Sequence, residues 1–248
     1  MMSSQFNVLR KLFHFSGVIF IAAYYSDIFK KFPEPLFNEN TRSVLFYLIL
    51  AGFLIMALVE FLRFRYPFFQ KTFLQITGKI IKPSEVNKMH GSLPFFLGLL
   101  ICTALYMKEV TIISALFLMV GDPCAAWFGG KYGSHKLYNG KSFEGFIAGI
   151  AGAFFSGLFF LVLNWKINPG SFFAVLFEDH FILLSVIVFA GAFLGLALEL
   201  FSASGFFDDN LLIPSISGLA MSLMLWIAFK IPIESVFYSL NHLLFSIK

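Results

Sequence analysis

The chain has 248 residues, 58% hydrophobic, 19% aromatic and 13% charged, with a formal net charge of +4. A soluble domain of this size needs a charged skin that such a composition does not supply, which excludes a water-soluble enzyme. The positive balance requires no nucleic-acid partner, because anionic lipid headgroups already account for a basic membrane rim.

The first apolar segment, 12–29, is interrupted by His14 and Asp27. No small-residue cleavage pattern follows it, so it reads as a span and not as a removable leader. Residues 43–59 hold 17 positions without Asp, Glu, Lys or Arg. Over 68–81, apolar residues alternate with Gln70, Lys71, Gln75 and Lys79 at roughly helical spacing, which predicts an amphipathic helix in the membrane interface. Three further uncharged windows, 89–107, 181–198 and 211–229, hold 19, 18 and 19 residues, and 145–165 holds 21. Each is near the ~20 residues that cross a bilayer core. Residues 110–130 span as well if Asp122 lies near the end of the segment or in a protein-lined cavity.

The prediction is therefore an all-α, polytopic membrane protein with seven spans, forming one transmembrane unit over 1–248. Residues 231–247, broken by Pro232, Glu234 and Asn241, are an eighth span or an interfacial helix. Cys102 and Cys124 form no redox or metal motif and read as small buried side chains. With the N-terminus inside, eleven of the eighteen Lys and Arg residues fall on the inner side. That bias sets the orientation and puts segments 63–92, 122–144 and 199–210 on the cytoplasmic face.

Residues 121–145 read GDPCAAWFGGKYGSHKLYNGKSFEG. Ionisable groups at membrane depth are costly, and so many together point to a ligand, here a phosphate-rich one with its metal. Asp122, followed by Pro123, is expected at a helix break, where its carboxylate suits a hard cation such as Mg2+. Asp208 and Asp209, with Asn210, form a second acidic group, and Glu199 closes the preceding span. Gly129, Gly130 and Gly133 flank Lys131, and Lys136 and Lys141 follow. Glycines admit close backbone approach to a phosphate chain, and the lysines supply charge. Ser142 is placed to cap the next helix, with Glu144 in its first turn. The alternative for these basic residues is plain contact with lipid headgroups. Glu60 and Arg63 stand i,i+3 and pair with each other or with a ligand. His90 relays a proton, binds phosphate or is structural.

Taken in order, these pieces resemble the CTP-dependent lipid kinase family, which groups dolichol, phytol and CTP-dependent diacylglycerol kinases. They are more distantly similar to CDP-diacylglycerol synthase. The matching pieces are Arg10-Lys11 with His14, Glu60 with Arg63, His90–Gly98, Gly121-Asp122 with Ala125, Gly129 and Gly133, Lys141–Gly145, Glu199, and Asp209–Pro214. The resemblance implies transfer of a phosphoryl group from CTP to the hydroxyl of a membrane lipid alcohol, with a divalent cation. It implies metal and triphosphate contacts for Asp122 and Asp209, supported by Asp208 and Glu199. Lys131 and Lys141 would hold phosphate oxygens, Asn210 would contact metal or nucleotide, and a carboxylate or His90 would take the acceptor's proton. Lys131 stands where the family pattern has arginine, which keeps the charge and loses the bidentate fork. The short chain resembles the compact phytol and diacylglycerol kinases more than the long dolichol kinases. It favours a cell membrane over the endoplasmic reticulum, with the site on the cytoplasmic side.

Two other functions use the same residue types. A CTP:phosphatidate cytidylyltransferase would release pyrophosphate from CTP. A transporter of an anionic or lipidic solute would place polar residues at mid-membrane in related halves. Here they cluster toward one face, and no internal repeat is evident.

Overall fold

The computed structural model describes residues 17–30, 40–77, 86–202 and 207–238, and over these the protein is helical, with no strand. Helix α1 is Gly17–Tyr25, the described part of the first expected span. It ends in a turn where Asp27 takes a positive φ of 49° and pairs with Lys108 at 2.8 Å. Residues 12–16 lie outside the described residues.

Helix α2, Asn40–Arg65, outruns its uncharged window at both ends. It can do so because Arg42, Glu60 and Arg63 are buried against protein. Arg42 is 2% exposed, and its Nε and Nη2 donate to the carbonyls of Thr103 and Ala104 at 2.7 and 2.9 Å. Those carbonyls end helix α4, Ser92–Leu105, and a helix's last carbonyls have no donor of their own. After Tyr66 comes helix α3, Pro67–Thr77, with no buried residue and with Phe68 and Ile76 strongly exposed. It covers most of the expected interfacial helix, of which 78–81 lie outside the described residues.

With 14 residues, α4 is ~21 Å long at 1.5 Å per residue, short of the ~30 Å hydrocarbon core. The chain becomes extended at Tyr106, which bridges to Phe237, while the Tyr238 amide donates to the Leu105 carbonyl at 2.9 Å. Helix α5, Lys108–Leu116, then runs through a π-helical turn, Phe117–Gly121, into α6, Asp122–Tyr132. The remaining helices are α7, Phe143–Ile167; α8, Phe172–Asp179; α9, Phe181–Glu199; α10, Asp209–Phe229; and the short α11, Ile233–Val236.

Among the described residues, five helices are long and apolar enough to cross a membrane: Thr41–Arg65, Lys108–Tyr132, Phe143–Ile167, Phe181–Glu199 and Asp209–Phe229. The structure thus supports a polytopic membrane protein, with five such helices against the seven or eight expected. The difference lies in the short α4, in α1 and in the tail, where only α11 precedes undescribed residues.

The pillar of the bundle is α5 with its π turn. Ile112, Ile113, Phe117, Leu118 and Met119 are fully buried, and α7 and α10 flank them. Helix α10 also lies along α9 and α4, and α6 lies along α7. The α6–α7 seam is built from small residues a turn apart, Gly121, Ala125 and Gly129 against Gly145, Gly149 and Ala153. A Cβ on Gly145 would stand 2.7 Å from the Ala125 carbonyl oxygen and 2.9 Å from the Gly129 Cα. Without a hydrophobic force between helices in lipid, such close backbone approach carries the association. Gly145→Val is therefore expected to lower stability by about 1–3 kcal/mol, read as an earlier thermal transition of the detergent-solubilised chain. An unchanged transition would mean that the seam is looser than described.

Candidate active site

Three helix ends meet at one point. Asp122 opens α6 directly after the π turn, Glu199 closes α9, and Asp209 opens α10. One carboxylate oxygen from each lies within 4.8 Å of the others. Asp122 and Glu199 are buried, at 8% and 6% exposure, and Asp209 is partly buried. The helix does not break at Asp122 as the sequence suggests. Pro123 has no N–H to donate, and the wide π turn before it absorbs that loss while the rod continues to Tyr132. Asp122 is thereby set inside a span, with protein around it.

Asp208 stands apart from this trio as the N-cap of α10. Its Oδ1 accepts from the Asn210 amide at 3.1 Å and from the Asn210 side-chain Nδ2. Asn210 is 2% exposed, and its Oδ1 meets no donor. A buried carbonyl oxygen left unmatched is costly. Asn210 follows Asp209 directly, and its Oδ1 is a hard oxygen of the kind a divalent cation takes. Mg2+ at 2.0–2.1 Å from its ligands sets opposite oxygens ~4.2 Å apart, so the trio's spacing and chemistry fit a divalent cation.

Lysine reaches the trio from a hairpin. Residues 135–143 fold back through Asn139-Gly140, with positive φ of 56° and 73°. The Leu137 amide donates to the Lys141 carbonyl at 2.7 Å and the Phe143 amide to the His135 carbonyl at 2.9 Å. Asn-Gly is a sequence signature of a hairpin turn, and here it forms the middle of the turn that the Lys141 amide closes on the Tyr138 carbonyl at 3.3 Å. Asn139 Nδ2 donates to the carbonyls of Leu200 and Ser202 at 3.1 and 3.2 Å, tying the tip to the end of α9. Lys141 Nζ consequently contacts Glu199 twice, at 2.7 Å to Oε1 and 2.6 Å to the main-chain oxygen. Ser142 then caps α7, accepting from the Gly145 amide at 3.2 Å.

The other predicted residues lie elsewhere. Glu144 clamps the turn before the hairpin, accepting from Ser134 Oγ at 2.6 Å and from the His135 amide. Gly129, Gly130 and Lys131 belong to α6 and not to a loop. Gly129 and Gly133 pack on Ser142, where a Cβ would meet its Oγ at 2.9 and 2.5 Å, whereas Gly130 faces open space. Lys131 lies over the rings of Trp127 and Tyr132, nine residues beyond Asp122 and so ~13.5 Å along the helix. His90 precedes α4, and its Nδ1 accepts from the Ser92 amide at 3.2 Å and meets Ser92 Oγ at 2.8 Å.

One node exceeds what the i,i+3 spacing suggests. Arg63 grips Glu60 through a two-point fork, 2.9 Å on each arm, with both residues almost fully buried. Arg63 also donates to the carbonyls of Val86 and Lys88, and Glu60 accepts the His90 amide at 3.2 Å. The pair fastens the segment before α4 to α2.

Fold and site together define a membrane protein with a recessed carboxylate–lysine centre suited to a cation and an anionic ligand. Two fungal proteins named CTP-dependent diacylglycerol kinase 1 are similar along most of the chain. That of Saccharomyces cerevisiae is 29% identical over 88% of this chain and 73% of its own length, and that of Eremothecium gossypii 28% over 88% and 67%. An uncharacterised protein of Rickettsia prowazekii is 30% identical over 85% of this chain and 90% of its own length. No family model matches the chain. No solved structure matches it either. The chain is thus similar along most of its length to members of the CTP-dependent lipid kinase family.

Proposed function

We propose that this protein transfers the γ-phosphoryl group of CTP to the hydroxyl of a membrane lipid alcohol, and that diacylglycerol is the acceptor. The observation that carries the acceptor is the similarity, over 88% of the chain, to proteins named CTP-dependent diacylglycerol kinase 1. The carboxylate trio supports the chemistry, since phosphoryl transfer needs chiefly alignment and neutralisation of charge.

Asp122, Asp209 and Glu199 would hold a divalent cation. When bound, Mg2+ supplies the positive charge that the β- and γ-phosphate oxygens require. Lys141 neutralises oxygens of the transferred group from the Glu199 side. The acceptor oxygen attacks Pγ, the bond from Pγ to the β-bridging oxygen breaks, and CDP leaves. The hydroxyl proton passes to a carboxylate of the trio. His90, whose Nδ1 already accepts the Ser92 amide proton, is the weaker proton acceptor. The site opens toward the cytoplasm, where nucleotide is found, and the acceptor enters from the bilayer.

The test is the purified protein in detergent, with CTP or ATP and a panel of diacylglycerol, phytol, farnesol and polyprenols. Phosphatidate formed preferentially from CTP and diacylglycerol is the expected result. Phosphorylation of phytol or a polyprenol instead would replace the acceptor. Lys141→Ala is expected to lower turnover about 10²-fold, as for loss of one charge-stabilising group, and Lys136→Ala by less than about tenfold. Equal losses would reduce this segment to a basic membrane rim.

A further inference from the structure

We propose that Lys141 is a resident counter-cation that keeps the carboxylate trio from binding a divalent cation tightly until nucleotide arrives. The inference rests on the cation site described above and assigns it a mode of loading.

The geometry carries it. Lys141 Nζ sits 2.7 Å from Glu199 Oε1, and Glu199 belongs to the trio whose oxygens share a 4.8 Å cluster. The ammonium is fixed by the Glu199 main-chain oxygen at 2.6 Å and lies 3.4 Å from Ser202 Oγ. The hairpin tip is anchored to the same helix end by Asn139, so the lysine is delivered by a built element and is not a wandering surface charge. One ammonium faces three carboxylates, so the centre keeps oxygens that a divalent cation can take. A cation entering alone must also bear repulsion from an ammonium attached to one of its own ligands. A nucleotide triphosphate brings negative charge that draws Lys141 toward phosphate and relieves that repulsion. Cation and nucleotide therefore load together, each raising the other's affinity by the same factor.

The test is Mn2+ binding to the full detergent-solubilised chain without nucleotide, followed by electron paramagnetic resonance of the free ion. Lys141→Met should tighten Mn2+ binding about tenfold or more, an estimate held low because the lysine side chain is 28% exposed and partly screened. Lys141→Gln, which keeps hydrogen-bonding capacity without charge, should act in the same direction. Asn139→Gly releases the hairpin tip but keeps the ammonium and tolerates the positive φ, and should tighten binding by less than Lys141→Met does. In the unsubstituted protein CTP should tighten Mn2+ binding, and in Lys141→Met that gain should shrink. Equal affinity with and without Lys141 would overturn the proposal and leave the cation site standing. Absence of Mn2+ binding in every form, with or without CTP, would remove the cation site and this inference with it.

Discussion

Asp122→Asn is expected to lower phosphoryl-transfer turnover by about 10³-fold while the protein still inserts and folds. The expectation follows from where the side chain sits. Asp122 is 8% exposed at the junction of a π turn and a helix, with oxygens of Glu199 and Asp209 within 4.8 Å. Three carboxylates this close repel one another unless positive charge lies among them. Asparagine keeps the shape and removes one charge, so stability should hold or rise while cation binding falls. Asp209→Asn should behave alike, and the double variant should lose little more than either single one, as groups that act as a unit do. Turnover measured with saturating CTP, alongside the thermal transition, separates the two effects. Normal turnover in Asp122→Asn would remove the trio from the chemistry.

Arg63→Met is expected to destabilise the protein by about 3–5 kcal/mol, because it leaves the Glu60 carboxylate buried without its partner. Glu60 and Arg63 are 4% and 2% exposed, and Arg63 spends its remaining donors on Val86 and Lys88. Losing the arginine frees the whole segment before α4, not one contact. The double variant Glu60→Gln, Arg63→Met should recover part of the loss, since no charge is then stranded. Thermal unfolding in detergent reads both. A change below about 1 kcal/mol for Arg63→Met, the size of a surface pair, would mean that the node is open to water.

The long uncharged windows at 145–165, 181–198 and 211–229 were legible because a bilayer enforces length and apolarity together, and each lies inside a helix of the structure. The span count was less legible. Uncharged sequence continues through 89–107, yet α4 stops at Leu105, where pairing with Phe237 and the reach of Arg42 fix its end. Such contacts come from distant segments and leave no local pattern. The π turn at Phe117–Gly121 was equally hidden, although Pro123 signals that something must replace its missing donor.

In the candidate site, the residue types drew attention to Asp122, Glu199 and Asp209, and the structure brings these three together. Spacing alone could not separate Asp208 from Asp209; only the cap on Asn210 does so. Glycines gave the least reliable signal. Gly129 and Gly145 serve helix contact as much as any ligand, since lipid-buried helices and phosphate sites both favour residues without a side chain. The Lys141–Glu199 contact was readable only in part. Asn139-Gly140 marks the hairpin, but nothing local indicates that its tip lands on the end of α9.

The most direct measurement is the fate of isotope on CTP when the purified protein is given diacylglycerol or, in a parallel assay, phosphatidate. With label on the γ-phosphorus, the account predicts labelled phosphatidate and unlabelled CDP; with label on the α-phosphorus, it predicts labelled CDP and unlabelled lipid. Neither lipid nor CDP should gain label in Asp122→Asn beyond about a thousandth of the unsubstituted rate. Label from the α-phosphorus in a lipid product made from phosphatidate, with γ-label released in pyrophosphate, would contradict the account and make the protein a cytidylyltransferase.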